Sequence, residues 1–322
     1  MYSRSTLLWP LAALLLVVAA CGQGAPAAGP GGKEVRIRVS GAFALFPMMT
    51  LWADEYRKLN PDVTFDVQAG GAGKGMADVL SGVADIAMLS RAPRQEELDR
   101  GAYLMPAVID AVVATVNADN PQLERVLAAG ITPAKGAALW LTEETQTWGA
   151  LVGNNDATPI TVYTRADSSG AAEVWALFLG GTAQEDLRGI AVNSDPGLAE
   201  AVRRDRRGIG FNNIAFVYDP ATGRQLAGLR VVPIDLNGDG VISTDEDFYA
   251  SRETLNAAVA ARRYPYPPAR LLYLVTRGPP APPIAAFYRW MLTDGQALVE
   301  AAGFVRLSAE SVQEGLVLLQ AP

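Results

Sequence analysis

The sequence of 322 residues contains no histidine. This absence excludes Ser-His-Asp and Cys-His catalysis, and every metal site that depends on imidazole ligands. Cysteine occurs once, at Cys21, so an intrachain disulfide and a cysteine cluster are excluded as well. Positive charge is in the minority, because 27 lysines and arginines face 34 acidic residues, for a net charge of −7. This balance argues against nucleic acid or an anionic membrane surface as the main partner.

Long apolar runs are also lacking, since no segment reaches the ~20 continuous apolar residues that span a bilayer. The first residues carry a shorter apolar run over 11–18 behind Arg4, which is typical of an export signal. The stretch VVAAC that ends at Cys21 resembles the lipobox of bacterial lipoproteins. It implies a signal peptide over 1–20, a lipid on the cysteine and a flexible tether over 21–33. A plain signal peptide with an incidental cysteine is the alternative.

Half of the residues are hydrophobic, and a chain of this size is expected to bury its core in more than one lobe. From residue 34 onward, segments of strand and helix character alternate: VRIRVSG, PMMTLWADEYRKLN, VTFDVQA, MADVLSG and ADIAMLS. This order predicts an open parallel sheet of the α/β class, with GGAGKG as the turn before the second helix. Ligands of such sheets lie beyond the carboxyl ends of the strands. The loops GAFALFP, AGGAGKG and LSRAP are therefore candidate binding loops.

A fourth candidate loop, TRADSSG at 164–170, lies between a predicted strand and a predicted helix. Arg165 offers a rigid fork of donors that matches an oxyanion, and a helix N-terminus favours an anion. An ordinary capped helix with an Arg165–Asp167 bridge at its start is the alternative, and the two interpretations are compatible.

Five stretches resemble, in order, the phosphate-binding proteins of Pst-type ABC importers: SGAFALFP, GGAGKGMADVLSGVADIAMLSR, YTRADSSGAAEVW, YPYPPARLLYLV and FYRWMLTDGQALVEAAGFVRLS. The similarity covers most of residues 34–310. It implies a two-lobed periplasmic-binding-protein fold of type II, in which each lobe is an open sheet flanked by helices. The chain would cross twice between a first lobe, 34–115 and 270–322, and a second lobe, 116–269. The ligand would lie in the cleft between them, which closes around it.

The resemblance also implies which residues face the ligand. Arg165 would be the charged donor, oriented by Asp167, and Ser169 would donate its hydroxyl. Gly170 and Ala171 would donate their backbone N–H groups. The positions expected to contribute from the first lobe are Ala44, Leu45, Phe46, Ala72, Ser90 and Arg91.

Four of these positions depart from the family pattern. Leu45, Ala72 and Ala171 replace hydroxyl donors, and each lost hydrogen bond would cost about 1–3 kcal/mol. Arg91 replaces the carboxylate that accepts the proton of hydrogen phosphate; an arginine adds positive charge and cannot accept a hydrogen bond. We therefore expect an anion site at which sulfate, a phosphonate, a carboxylate or a phosphoester competes with phosphate as the preferred ligand.

A second motif, DLNGDGVISTDE at 235–246, fits the EF-hand loop formula without a gap. Calcium requires six to eight oxygen ligands, and this spacing wraps them around one point. The expected ligands of a structural Ca²⁺ ion are Asp235, Asn237, Asp239, the carbonyl of Val241, Ser243 and Glu246. A strand is predicted before the loop where an EF-hand has a helix, so an acidic turn without metal is the alternative.

The sequence thus predicts a lipid-anchored solute-binding protein, not an enzyme, at the bacterial cell envelope, either periplasmic or on the outer face of the cytoplasmic membrane. It would capture phosphate or a related oxyanion and deliver it to an ABC permease and ATPase complex. Its only contact with the membrane would be the lipid anchor, and it would act as a monomer. A non-transporting receptor or scaffold is the alternative. A phosphoester hydrolase is a third possibility, in which Ser169 would be the nucleophile and Lys74 the base, since no histidine is available.

Overall fold

The structure, a computed structural model, describes residues 34–320. The predicted signal peptide over 1–20, the lipid on Cys21 and the tether over 21–33 lie outside the described residues. Across residues 34–320, no helix combines the length and the apolar character needed to cross a membrane.

The strands of this part of the chain are β1 (Val35–Gly41), β2 (Val63–Ala69), β3 (Ile86–Leu89), β4 (Ala102–Asn117), β5 (Thr161–Arg165), β6 (Ile190–Val192), β7 (Gly208–Asn213), β8 (Leu229–Val232) and β9 (Ala269–Arg277). They follow the order β2-β1-β3-β9-β4-β7-β5-β6, and β8 pairs with β4 beside this path. β1 is parallel to β2 and β3, and β5 is parallel to β6 and β7. β4 and β9 run antiparallel to their neighbours. The predicted α/β class is confirmed, with a mixed sheet.

The helices of residues 34–320 are α1 (Phe46–Leu59), α2 (Ala72–Ser81), α3 (Gln95–Asp99), α4 (Leu123–Ala129), α5 (Pro133–Trp140), α6 (Trp148–Val152), α7 (Gly170–Phe178), α8 (Asp195–Arg204), α9 (Arg252–Ala260), α10 (Pro282–Leu292) and α11 (Ala309–Leu318). Serine side chains cap α7, α8, α9 and α11 by accepting a hydrogen bond from a backbone N–H of the first turn. These caps fix where the helices begin, and so fix which residues follow each strand.

One turn prediction was wrong. The helix α2 begins at Ala72, inside the glycine-rich segment that was expected to form a turn. Gly71 precedes it with φ 92°, a left-handed value that glycine adopts without strain. Only two residues, Gly70 and Gly71, therefore separate the end of β2 from the start of the helix.

β4 carries the chain from one half of the sheet to the other. Its residues 102–111 pair with β9, whereas residues 112–117 pair with β7 and β8. One hydrophobic core, around Trp52 and Phe287, lies with β1, β3 and β9, and a second, around Trp175, lies with β5 and β7. The change of pairing lies a few residues before the lobe boundary drawn from the resemblance, and those boundaries stay a prediction.

Candidate functional site

The loops behind β1, β2, β3 and β5 meet across a cleft between the two halves. The backbone N–H of Gly73 donates a hydrogen bond to the carbonyl of Ser168, with N and O 3.4 Å apart. A Cβ placed on Gly170 would lie 2.4 Å from both the carbonyl oxygen and the hydroxyl oxygen of Ser90. Carboxyl ends of parallel strands share one edge of a sheet, which is why loops far apart in sequence come together here. The two sides of the cleft are in contact.

Arg165 ends β5 in the centre of this contact. Its Nε and Nη2 donate to the carboxylate of Asp167 at 2.8 and 2.6 Å, and its Nη1 lies 2.7 Å from Oδ2 of Asp195. Its guanidinium carbon lies 5.8 Å from the centroid of the Phe43 ring, across the cleft. Burial acts to lower the pKa of Arg165, but the two carboxylates outweigh this effect and raise the pKa above its ordinary range. The arginine is a permanent buried cation with two anionic partners.

Asp195 was not anticipated from the sequence, in which DPGLAEAVRRDRRG reads as the start of a capped helix. It is the first residue of α8, and only 2% of it is exposed. It follows β6, a three-residue strand whose Val192 pairs with Arg165 in parallel register. Had this short strand been recognised, its carboxyl end would have pointed to the same edge of the sheet. Two polar residues in the buried strand β7, Asn212 and Asn213, are a second sequence feature that could have indicated a polar partner at this edge.

Ser169 is the N-cap of α7. Its hydroxyl oxygen accepts a hydrogen bond from the Ala172 N–H at 3.3 Å, which leaves the hydroxyl proton free to be donated. Its own N–H donates to Oε1 of Gln184 at 2.7 Å. Gly170 and Ala171 contribute the first N–H groups of the helix, for which a helix has no acceptor of its own. The residue that caps α7 and the first N–H groups of the helix are therefore the same groups that are expected to donate hydrogen bonds to an anion.

The predicted contributions from the first half lie in the loops and helix starts that follow β1, β2 and β3. Ala44 and Leu45 form a 3₁₀ turn with Phe43, Phe46 opens α1, and Ala72 opens α2. Ser90 follows β3, and its carbonyl accepts a hydrogen bond from Nε of Arg270 at 2.9 Å. These residues place the N-terminal ends of two further helices behind the strand ends.

Arg91 brings less positive charge to the cleft than expected. Its Nη1 and Nη2 donate to the carboxylate of Glu97 at 2.9 and 2.6 Å, and Nη1 also donates to the carbonyl of Ala92. Burial acts to raise the pKa of Glu97, but hydrogen bonds from Arg91 and from the Arg94 N–H lower it below its ordinary range. The cause is the short helix α3, which the sequence did not predict and which supplies a neutralising carboxylate. A ligand role for Arg91 stays a prediction.

Two other basic residues near the cleft have acidic partners. Lys74 forms an ion pair with Asp78, four residues later on α2, so it is not available as a base for Ser169. Arg94 reaches across the cleft to Glu173 of α7, with Nη2 and Oε2 3.1 Å apart. The Arg94 side chain is 51% exposed, and such pairs contribute at most about 1 kcal/mol. This pair marks the rim of the closed cleft.

A buried pair lies beneath the site, where β4 and β9 run side by side. Oδ2 of Asp110 and Nη2 of Arg270 are 3.5 Å apart, and both residues are buried. Burial raises the pKa of Asp110 to about 6, although Arg270 acts in the opposite direction. Nη2 of Arg270 also donates to Oδ1 of Asn213. The base of the cleft is thus linked by hydrogen bonds to the strands that join the two halves.

The loop over 235–246 lies apart from this cleft and follows β8, as the sequence predicted. The Asp235 carboxylate accepts hydrogen bonds from the N–H groups of Gly238 and Gly240 at 2.7 and 2.9 Å. The Glu246 carboxylate accepts them from Leu236 and Ser243 at 2.8 and 3.0 Å. Within residues 34–320, no group of three acidic side chains lies close enough together to hold a metal ion. Both end carboxylates of the loop face its interior.

Comparison with known proteins places the chain in a family. A family model described as a PBP superfamily domain matches residues 24–295. The phosphate-binding protein PstS of Pseudomonas aeruginosa is 26% identical over 303 residues, covering 86% of this chain and 84% of the relative. Protein SphX of Synechococcus elongatus is 26% identical over 312 residues, covering 93% and 86%.

A solved structure has the same fold. It is a putative phosphate ABC transporter substrate-binding protein from Clostridium perfringens with bound phosphate, with a TM-score of 0.68 and 21% identity, covering 85% of this chain and 100% of that one. These comparisons confirm the predicted fold and the resemblance to Pst-type proteins, and the relatives agree with the prediction that the chain is not an enzyme. With most of its length matched by the family model, the chain belongs to the PBP superfamily.

Proposed function

We propose that this protein captures phosphate or a related oxyanion in the cleft and delivers it to an ABC importer. The observation that carries the proposal is the position of Arg165, a buried cation beside the N-terminus of α7 at the point where the two halves touch. The phosphate-binding names of the relatives make phosphate the first ligand to test.

The donors at this point suit a tetrahedral oxyanion. Arg165 supplies charge, Ser169 supplies a hydroxyl proton, and the first N–H groups of α7 supply backbone donors at the positive end of a helix dipole. Closure excludes water from the cleft, and hydrogen bonds to a charged ligand are stronger in such surroundings. A ligand can therefore be held without the three hydroxyls that Leu45, Ala72 and Ala171 lack.

Anchoring and delivery belong to the same proposal. The sequence supports a lipid on Cys21, a position at the cell envelope and a monomer that docks on a permease and ATPase complex. A tethered binding protein would present its cleft to a transporter in the same membrane, at the raised local concentration that a short tether gives.

Gly170→Ala tests the cleft as the binding site. We expect the unchanged protein to bind one phosphate per chain saturably in calorimetric titration. The variant should lose at least about tenfold in affinity, because the new Cβ meets a carbonyl at 2.4 Å and keeps the halves apart. Gly181→Ala is the matched control, since its Cβ would come no closer than 3.2 Å to any neighbour. Full affinity in Gly170→Ala would contradict the site, and no oxyanion binding to the unchanged protein would contradict the function.

We also propose that the loop over 235–246 binds a structural calcium ion. The ligand spacing supports this, as does the inward direction of the Asp235 and Glu246 carboxylates. Calcium at millimolar concentration should raise the melting temperature by about 1–2 °C, the shift that ~1 kcal/mol produces in a chain of this size. Glu246→Gln should abolish the shift, whereas Glu144→Gln, at an exposed position outside the loop, should retain it. Equal melting temperatures in calcium and in chelator would contradict the proposal.

A further inference from the structure

We propose that Asp195 weakens the binding of oxyanions in the cleft, because its carboxylate occupies a place on Arg165 that an oxyanion would take. The inference rests on the proposed function and concerns the same site. It assigns to this chain an internal anion that competes with the ligand.

Carboxylates contact all three nitrogen atoms of the Arg165 guanidinium. Asp167 takes the Nε and Nη2 edge with two hydrogen bonds at 2.8 and 2.6 Å. Asp195 takes Nη1 at 2.7 Å. The side chains of Arg165 and Asp195 are only 2% and 3% exposed, so water does little to screen this arrangement. One buried positive charge is therefore matched by two negative charges before any ligand arrives.

Hydrogen bonds from two asparagine side chains hold Asp195 in this position. Nδ2 of Asn213 donates to its Oδ1, and Nδ2 of Asn212 donates to its backbone carbonyl at 3.1 Å. As the first residue of α8, it also lies at the positive end of a helix dipole, which stabilises its charge. A carboxylate with these partners keeps its position when the cleft is without ligand.

A ligand of charge −1 or −2 at Arg165 would meet the charge of Asp195 at close range. Like charges that approach within a few ångströms in a buried site repel strongly, so binding requires that Asp195 be displaced or that its charge be removed. Displacement would also disturb Asn213, whose Oδ1 accepts a hydrogen bond from Arg270 on β9. Occupancy of the site is thereby linked to the strands that join the two halves.

The test compares phosphate and sulfate binding by the unchanged protein, Asp195→Asn and Glu200→Gln. Asparagine keeps the size and a hydrogen-bonding oxygen but removes the charge. We expect Asp195→Asn to bind both anions at least about tenfold more tightly. Glu200→Gln removes a charge from the exposed side of the same helix and should leave both affinities unchanged.

Other results would overturn the inference. Unchanged affinities in Asp195→Asn, with phosphate bound by the unchanged protein, would refute it and leave the proposed function intact. Weaker phosphate binding with unchanged sulfate binding would mean that Asp195 accepts the proton of hydrogen phosphate, which is the opposite role.

If neither protein binds an oxyanion, a second measurement tests the inference about Asp195 separately from the proposed function. Formate is a small carboxylate that can replace the side chain removed in Asp195→Ala. A saturable rise in the melting temperature of that variant with formate, absent from the unchanged protein, would support the inference while the proposed function fails. No rise in either protein would reject both.

Discussion

Arg165→Ala is expected to lower the free energy of unfolding by about 3–5 kcal/mol, the cost of leaving a buried charge without its partner. Asp167 and Asp195 would then face each other inside the cleft with no cation between them. Urea denaturation followed by tryptophan fluorescence measures the loss, because Trp175 is fully buried in the core behind the site. The same variant should bind no phosphate, since its charged donor is gone.

The control for this prediction is Arg203→Ala. Arg203 pairs with Glu200 on the surface of α8, and its side chain is 48% exposed. Such pairs contribute about 0–1 kcal/mol. If Arg165→Ala cost no more than this control, the two carboxylates would have to be hydrated in solution, and the buried cluster would not exist as described. Adding Asp195→Asn to Arg165→Ala should recover part of the lost stability, because one of the unpaired charges is removed.

Asp110→Asn is expected to remove a pH-dependent component of stability on the order of 3 kcal/mol. The pKa of Asp110 is raised from 3.8 to about 6 by burial, so the folded protein holds this proton more tightly than the unfolded chain. Its contribution to stability is complete below pH 3.8 and is lost as the pH rises through 6. Between these values, the unchanged protein should lose stability relative to the variant.

Urea denaturation at several pH values between about 2 and 7 gives the curves for the unchanged protein and the variant, and includes the range in which the control below titrates. Asp85→Asn is a control of opposite sign. Hydrogen bonds from Arg38 lower the pKa of Asp85, so its contribution is present at neutral pH and is lost as the pH falls. Parallel curves for the unchanged protein and Asp110→Asn would show that the Asp110 carboxyl titrates normally.

The meeting of the binding loops could be predicted from the sequence because it follows from strand direction alone. Once 35–41, 63–69 and 84–90 are recognised as parallel strands, their carboxyl ends must share one edge. The pairing of Arg165 with Asp167 could be predicted as well, since the two residues are close in sequence and in the same loop.

The partners that reach the site from elsewhere could not be predicted in this way. Asp195 lies 2.7 Å from Arg165 only because β6 pairs with β5, and a strand of three exposed or half-exposed residues leaves little periodic signal. Glu97 neutralises Arg91 through a helix of five residues, too short to show an apolar face. Charge balance at a site depends on such short elements, whereas the fold depends on the long ones.

The continuity of β4 through both halves affects what controls the release of a ligand. One unbroken strand serves both halves, and the hydroxyl of Tyr264 donates to the Val112 carbonyl where its pairing changes. We expect such a joint to open by a small change of strand twist distributed over several residues, and not by rotation about a single hinge residue. Because no single residue has to be released for the joint to open, we expect the residence time of a ligand to depend on contacts at the cleft.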